Sequence, residues 1–296
     1  MRNLICPECG SGIVIKYGKK YSRQIYRCRE CRRKFISDPK GRYSRQIMVD
    51  AICFHSLGDT LEDVTLKLRR TYRKKISKST VHRWISDAKG LTPILGYRRD
   101  IGRLNDPILV KDLLHSGLLF RFSIHRFKLE RSGMEGLSEY LLGFQDRPEF
   151  QDGNRCSSLK AGVDVPVVKR KDLACDMVSF CLDPSMENRK RHELVERFLL
   201  TNDDVTVATE VPVYFWDKKI GSVTGHIDVL QVKNGKVRIL DYKPNASREH
   251  PEGQILNYAR ALSYRTKVSL KDMECAWFDG KDCYSFDPSK AVWKWR

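Results

Sequence analysis

Apolar positions along the chain follow two periods, and the places where one gives way to the other divide it into segments. In the stretch GHIDVLQVKNGKVRILDYKPN, residues 225–245, strand-like apolar runs (Ile227, Val229; Val237, Ile239, Leu240) flank Asn234-Gly235, the dipeptide that favours a two-residue hairpin turn. From residue 186 onward the pattern predicts a helix over ENRKRHELVERFLL, then strands over VTVATEVPVYFW, KIGSVTGHIDVLQV and KVRILDYKP. A helix over PEGQILNYARALSY and strands over MECAWFD and CYSF complete the segment. A meander followed by a helix and further strands is an α/β arrangement.

Helical spacing dominates residues 42–90. A first helix is expected around Tyr43–Ser56, Thr60 with Asp63 forms a capping-box pattern for a second, and Ser77 or Ser79 can cap a third. Ile47, Ala51, Ile52, Leu57, Leu61, Val64, Leu68, Val81, Trp84 and Ile85 supply a small core for three helices. Lys78, Ser79, Thr80, His82 and Arg83 then project from the last helix, as polar side chains do on a recognition helix entering the DNA major groove. Ahead of these helices, Ile13, Ile15 and Tyr17 alternate before Gly18, and Ile25 follows it, which suits a short β-hairpin. Residues 91–185 are the least patterned. LLFRFSIHRFKLE alternates like a strand from Leu118 to Glu130, and the rest reads as connecting chain or an extension of the α/β domain.

Composition narrows the class. The chain has 296 residues, 41% of them hydrophobic, enough for one large core or several small ones. No apolar run reaches membrane-spanning length, and MRNLICPECG has no apolar stretch to act as a secretory signal, so a soluble, intracellular (cytoplasmic) protein is expected. The net charge is +18, and residues 1–100 hold 24 Lys and Arg against 9 Asp and Glu. Most of the excess therefore sits in the first third. Such asymmetry suits a polyanion, because Lys and Arg beside phosphates release condensed counterions.

Cys6, Cys9, Cys28 and Cys31 form two C-x-x-C pairs separated by a hairpin-length spacer, the arrangement of a four-thiolate Zn²⁺ site. Four thiolates leave no open coordination position, so this metal is expected to hold structure. The order CPECGS, YRCRECRRKF and SKSTVHRWI resembles the N-terminal zinc ribbon and helix-turn-helix of insertion-sequence transposases over about the first 90 residues. That resemblance implies binding to double-stranded DNA.

The opening stretch also contains Asp228, Asp241 and Lys243 among apolar neighbours, and buried charges are costly unless paired or bound to metal. Two carboxylates on adjacent strands can face one point and hold Mg²⁺ or Mn²⁺. Lys243, two residues past Asp241, shares its strand face and is placed to assist an attacking water. Gln254 and Tyr258 lie four apart on the next helix, hence on one face, and His192 lies on the preceding helix.

The ordered set H, G-x-x-D, D-x-K and Q-x-x-x-Y resembles the RecB-like branch of the PD-(D/E)xK nucleases over roughly the last 110 residues. The resemblance implies His192, Asp228 and Asp241 as Mg²⁺ or Mn²⁺ ligands and Lys243 as the catalytic lysine. It implies Gln254 and Tyr258 as residues on the site face and Glu210 as a further acidic position. Some relatives carry an iron–sulfur cluster that ends in a tight downstream cysteine group, which this sequence lacks. Cys156, Cys175, Cys181, Cys275 and Cys283 are accordingly read as buried structural thiols.

The expectation is a multidomain α/β chain. It comprises a zinc ribbon (1–38), a three-helix helix-turn-helix domain (42–90), a region (91–185) that either connects or belongs to the nuclease domain, and a restriction-endonuclease-like core (186–296). The implied activity is metal-dependent hydrolysis of DNA phosphodiester bonds, in recombination, repair or mobile-element processing. Single-stranded or branched DNA and a homodimer remain open as further partners. The rival is a non-enzymatic DNA-binding regulator built on a nuclease-like scaffold.

Overall fold

The structure is a computed structural model and describes residues 6, 9, 11–20, 23–36, 43–158, 162–183, 186, 188–218 and 221–294. It divides into two compact units, Met1–Ser44 and Arg45–Arg296.

The small unit is a three-stranded antiparallel sheet of β1 (Val14–Lys20), β2 (Arg23–Cys28) and β3 (Lys34–Ile36) in that order. The register slips between Lys16 and Gly18. Gly18 has φ 152°, a conformation few other residues adopt.

In the large unit, α1 (Arg45–Ser56), α2 (Leu61–Tyr72) and α3 (Lys78–Asp87) come first. The Thr60 and Asp63 pattern is a true capping box, with each side chain bonded to the other residue's main chain, and Ser77 caps α3. Ile47, Ala51, Ile52, Val64, Leu68, Val81 and Trp84 are buried, while Leu57, Leu61 and Ile85 are half-buried.

The helix α4 (Arg98–Ile101) follows, and its Arg98 guanidinium donates to the carbonyls of His55, Gly58 and Asp59, fastening the α1–α2 turn. Next come β4 (Ile108–His115), β5 (Leu118–His125), α5 (Arg126–Arg131), α6 (Glu135–Gly143), α7 (Glu149–Asp152) and β6 (Asn154–Arg155). The chain continues through β7 (Gly162–Asp164), β8 (Val168–Arg170), α8 (Leu173–Cys181) and α9 (Asn188–Asn202). It then forms β9 (Thr206–Asp217), β10 (Gly221–Lys233), β11 (Lys236–Tyr242), α10 (Glu252–Thr266), β12 (Met273–Phe278), β13 (Cys283–Phe286) and β14 (Val292–Lys294).

Nine strands make one mixed sheet in the order β4-β5-β9-β10-β11-β12-β13-β8, with β6 paired to β10. The β10–β11 turn is Asn234-Gly235, with φ 51° and 73°, the left-handed pair that a two-residue hairpin requires. A parallel pairing of β11 with β12 needs a crossover, and α10 supplies it. Ile227, Leu230, Val237 and Ile239 of the central strands share one apolar core with Ile255, Leu256 and Leu262 of α10.

One feature departs from the sequence-based expectation. The strand beginning at Leu118 stops at His125, because its partner β4 begins at Ile108 and the ladder ends with that pair; residues 126–131 turn helical. The segment 91–185 supplies β4, β5, β6 and β8 to the same sheet as residues 206–286. Among the described residues, no helix is long and apolar enough to cross a membrane.

Candidate functional site

The four ribbon cysteines are brought together. Cys6 and Cys31 sulfurs lie 3.5 Å apart, as do Cys9 and Cys28, and all four fall within 4.8 Å of one another. Sulfurs 2.3 Å from a tetrahedral Zn²⁺ would stand about 3.8 Å apart, so the cluster is compatible with structural Zn²⁺. Main-chain bonds fold both knuckles: Cys6 N–H donates to Ser11 and Cys28 N–H to Arg33.

A second cluster lies on the large sheet. Asp228 and Asp241 occupy facing places on β10 and β11, one step beyond the Val229–Leu240 pair. Glu210 on β9 stands across from Asp228 on the other side, one step from the Ile227–Val211 pair. Three acids thus lie side by side across three neighbouring strands. Glu210 has φ 50°, a left-handed conformation unusual for a residue within a strand. From α9, His192 brings its Nδ1 within 3.8 Å of Asp228 Oδ2, and Glu196 joins them, with donor atoms of all three within 4.8 Å. The helix holds His192 and Glu196 on one face because they are four residues apart.

Burial and mutual repulsion govern these groups. Burial, then the neighbouring carboxylates, pushes Asp241 up to about 7 and Glu210 up to about 8. Burial and then the Glu210 carboxyl raise Glu196 well above the ordinary range, and burial also raises Asp228. His192 is lowered by burial. For Lys243, burial opposes the charged amine, but Asp241 and Asp228 outweigh it and raise its pKa.

The Lys243 amine is 2.7 Å from Asp241 Oδ2. Asp241 Oδ1 has no hydrogen-bond partner, and neither has Glu196 Oε1. Arg238, three residues earlier on β11, makes the contrast. It is equally buried, but its guanidinium donates to Glu274, Gln231 and Asp172 at 2.6–2.8 Å. Arg238 is a satisfied core charge. Asp241 is satisfied in part only, by Lys243 at Oδ2, and a buried oxygen without a partner, its Oδ1, is what a cation would need.

Gln254 Nε2 donates to the Tyr258 hydroxyl at 2.7 Å, and both line a pocket that also reaches Asp228 and Glu210. Gly225 makes room for Tyr258: a Cβ there would stand 2.5 Å from the tyrosine ring. Sequence reasoning did not single out Glu196, His226 or His115. Glu196 carries a legible signal, its four-residue spacing from His192. His226 Nε2 and His115 Nδ1 are 2.9 Å apart in space but 111 residues apart in sequence, so no local pattern joins them. Burial lowers these two histidines to about 3 and about 4.

On α3, Lys78, Ser79, His82 and Arg83 are exposed and Thr80 is half-buried. Three of the five are engaged locally. Lys78 pairs with Glu62 at 2.7 Å, and the Ser79 and Thr80 hydroxyls each lie 2.9 Å from Ser77 Oγ. Cys156, Cys175, Cys181, Cys275 and Cys283 are all buried.

Comparison of the chain with protein-family models, with curated proteins and with solved structures returned no match.

Proposed function

We propose that this protein is a DNA-binding, metal-dependent nuclease that hydrolyses phosphodiester bonds. The observation that carries the reading is the cluster of buried carboxylates Asp241, Asp228 and Glu210 beside the Lys243 amine, with Asp241 Oδ1 lacking a hydrogen-bond partner. Asp172 and Glu274 balance their charge on Arg238 and Arg170, whereas Asp241 and Glu210 are pushed up by burial and then by neighbouring carboxylates. Carboxylate oxygens with one imidazole suit Mg²⁺ or Mn²⁺; His192, Glu196 and Asp228, whose donor atoms lie within 4.8 Å of one another, would hold the ion, with Asp241 on the strand beside Asp228 as a further ligand. Such an ion lowers the pKa of water and polarises a phosphoryl oxygen.

The chain's own groups do the rest. Lys243 places a positive charge beside Asp241, where it can orient a water and offset charge developing on phosphate oxygens. Glu210, pushed up to about 8, can exchange a proton near neutral pH. The PD-(D/E)xK resemblance agrees with this division of roles. The helix-turn-helix resemblance of α1–α3, together with the basic N-terminal third, supports duplex DNA as the substrate carrier.

Purified protein with Mg²⁺ or Mn²⁺, tested on linear, circular and single-stranded DNA beside Asp241→Ala, decides the matter. Cleavage by the wild type that Asp241→Ala abolishes supports the proposal. Absence of cleavage on every substrate, or cleavage that survives the substitution, overturns it.

A further inference from the structure

Beside the carboxylate cluster lies a pocket of about 150 Å³ whose walls include Phe120, His115, His226, Gln254 and Tyr258, together with Asp228 and Glu210. Resting on the nuclease reading, we infer that this pocket receives one unstacked nucleobase of the substrate strand, next to the bond that is cut.

Size is the first argument. A volume of this order holds a single planar ring system, on the scale of the ~150 Å³ cavity that takes up benzene, and excludes a base pair. Lining is the second. Phe120 stacks on His226, ring centres 4.1 Å apart and 19° from parallel, and His226 leans on His115 at 5.0 Å and 30°. Half-buried Phe120 belongs to a group of near-parallel rings that a base could extend. Gln254 contributes an amide within reach of a base edge, and carboxylates such as Glu210 accept from exocyclic amines.

Charge is the third argument. A second phosphate in the pocket would meet the Glu210 and Asp228 carboxylates, whereas a neutral heterocycle would not be repelled. The Arg155 guanidinium, which donates to the His115 carbonyl and stands 5.7 Å from the Phe120 ring centre, also lines the pocket, where it suits the phosphate that follows the base. Since the pocket admits one base and no pair, the inference places single-stranded, frayed or distorted DNA at the cleavage site even if duplex DNA is bound elsewhere on the protein.

The test uses the full-length protein and short single-stranded oligonucleotides. One set carries 2-aminopurine at successive positions and is titrated with protein in Ca²⁺. A second set carries an abasic site at the same positions and is assayed for cleavage in Mg²⁺ or Mn²⁺. Phe120→Ala is compared with wild type throughout. One position should show a fluorescence change that Phe120→Ala removes, and an abasic site at that position should slow wild-type cleavage on the order of tenfold while leaving Phe120→Ala little changed. Cleavage indifferent to every abasic site overturns the pocket and leaves the nuclease reading intact. A Phe120-dependent fluorescence change without cleavage supports the pocket and overturns the nuclease reading. Neither signal overturns both.

Discussion

Asp50 on α1 and Arg197 on α9 are joined by an ion pair, and the same Asp50 carboxylate accepts the Tyr72 hydroxyl from α2. Ser56 on α1 donates to Asn202 on α9 at 2.7 Å, and Thr201 on α9 lies 3.0 Å from the Cys53 sulfur on α1. The helix that brings His192 and Glu196 to the carboxylates is therefore the one against which α1 packs.

This packing has a direct stability consequence. Asp50→Ala leaves Tyr72 and Arg197 without their shared acceptor and should cost about 1–3 kcal/mol. Chemical denaturation of the variant measures it. A fragment ending at residue 90 lacks α9 altogether, and its circular dichroism should show a less stable helical fold than the same helices have in the full chain.

Stability of the metal-free protein should fall as pH rises. Asp241 and Glu210 have folded values of about 7 and about 8, above the ordinary values of 3.8 and 4.5. The folded state thus binds more protons than the unfolded one between these limits. Their contribution is fully present below about pH 4 and is lost as pH passes through 7 to 8. The melting temperature in EDTA should decline from about pH 5 to about pH 8. Asp241→Asn should flatten that decline and raise the melting temperature at pH 8, since it removes one of the crowded charges; a steeper decline would count against the cluster's repulsion. Mg²⁺ or Mn²⁺ should stabilise the wild type more than the variant.

Elemental analysis of the purified protein should find about one Zn²⁺ per chain, held by Cys6, Cys9, Cys28 and Cys31. Cys28→Ser should lose the metal and the order of the small unit. Because residues 45–296 have their own core, the main thermal transition of the large unit should remain.

Arg83 is exposed on α3, whereas Lys78, Ser79 and Thr80 are engaged with Glu62 and Ser77. If α3 reads DNA, Arg83→Ala should weaken a preferred duplex by about 1–3 kcal/mol and random duplexes by less. Binding curves at several salt concentrations separate the outcomes: an equal loss on all sequences, with a shallower salt slope, would make Arg83 a phosphate contact.

Sequence alone determined whatever depends on neighbours within a turn or two of chain. The two C-x-x-C knuckles, the Thr60 capping box, the Asn234-Gly235 turn and the closeness of Asp241 to Lys243, one residue past the end of β11, are set by local backbone geometry. The side-by-side placement of Asp228 and Asp241 was legible for the same reason, since a two-residue turn dictates the hairpin register. Tertiary structure decided the rest. It brought Glu196 into the cluster, stacked Phe120 on His226 beside His115, added β4 and β5 to the sheet, and seated α1 on α9. Those choices are made by surfaces far apart in the chain, whose match in shape and polarity exists only once both are folded. A buried Arg238 and a buried Asp241 look alike in sequence, and only the fold gives one three hydrogen-bonded partners and leaves the other an oxygen without any.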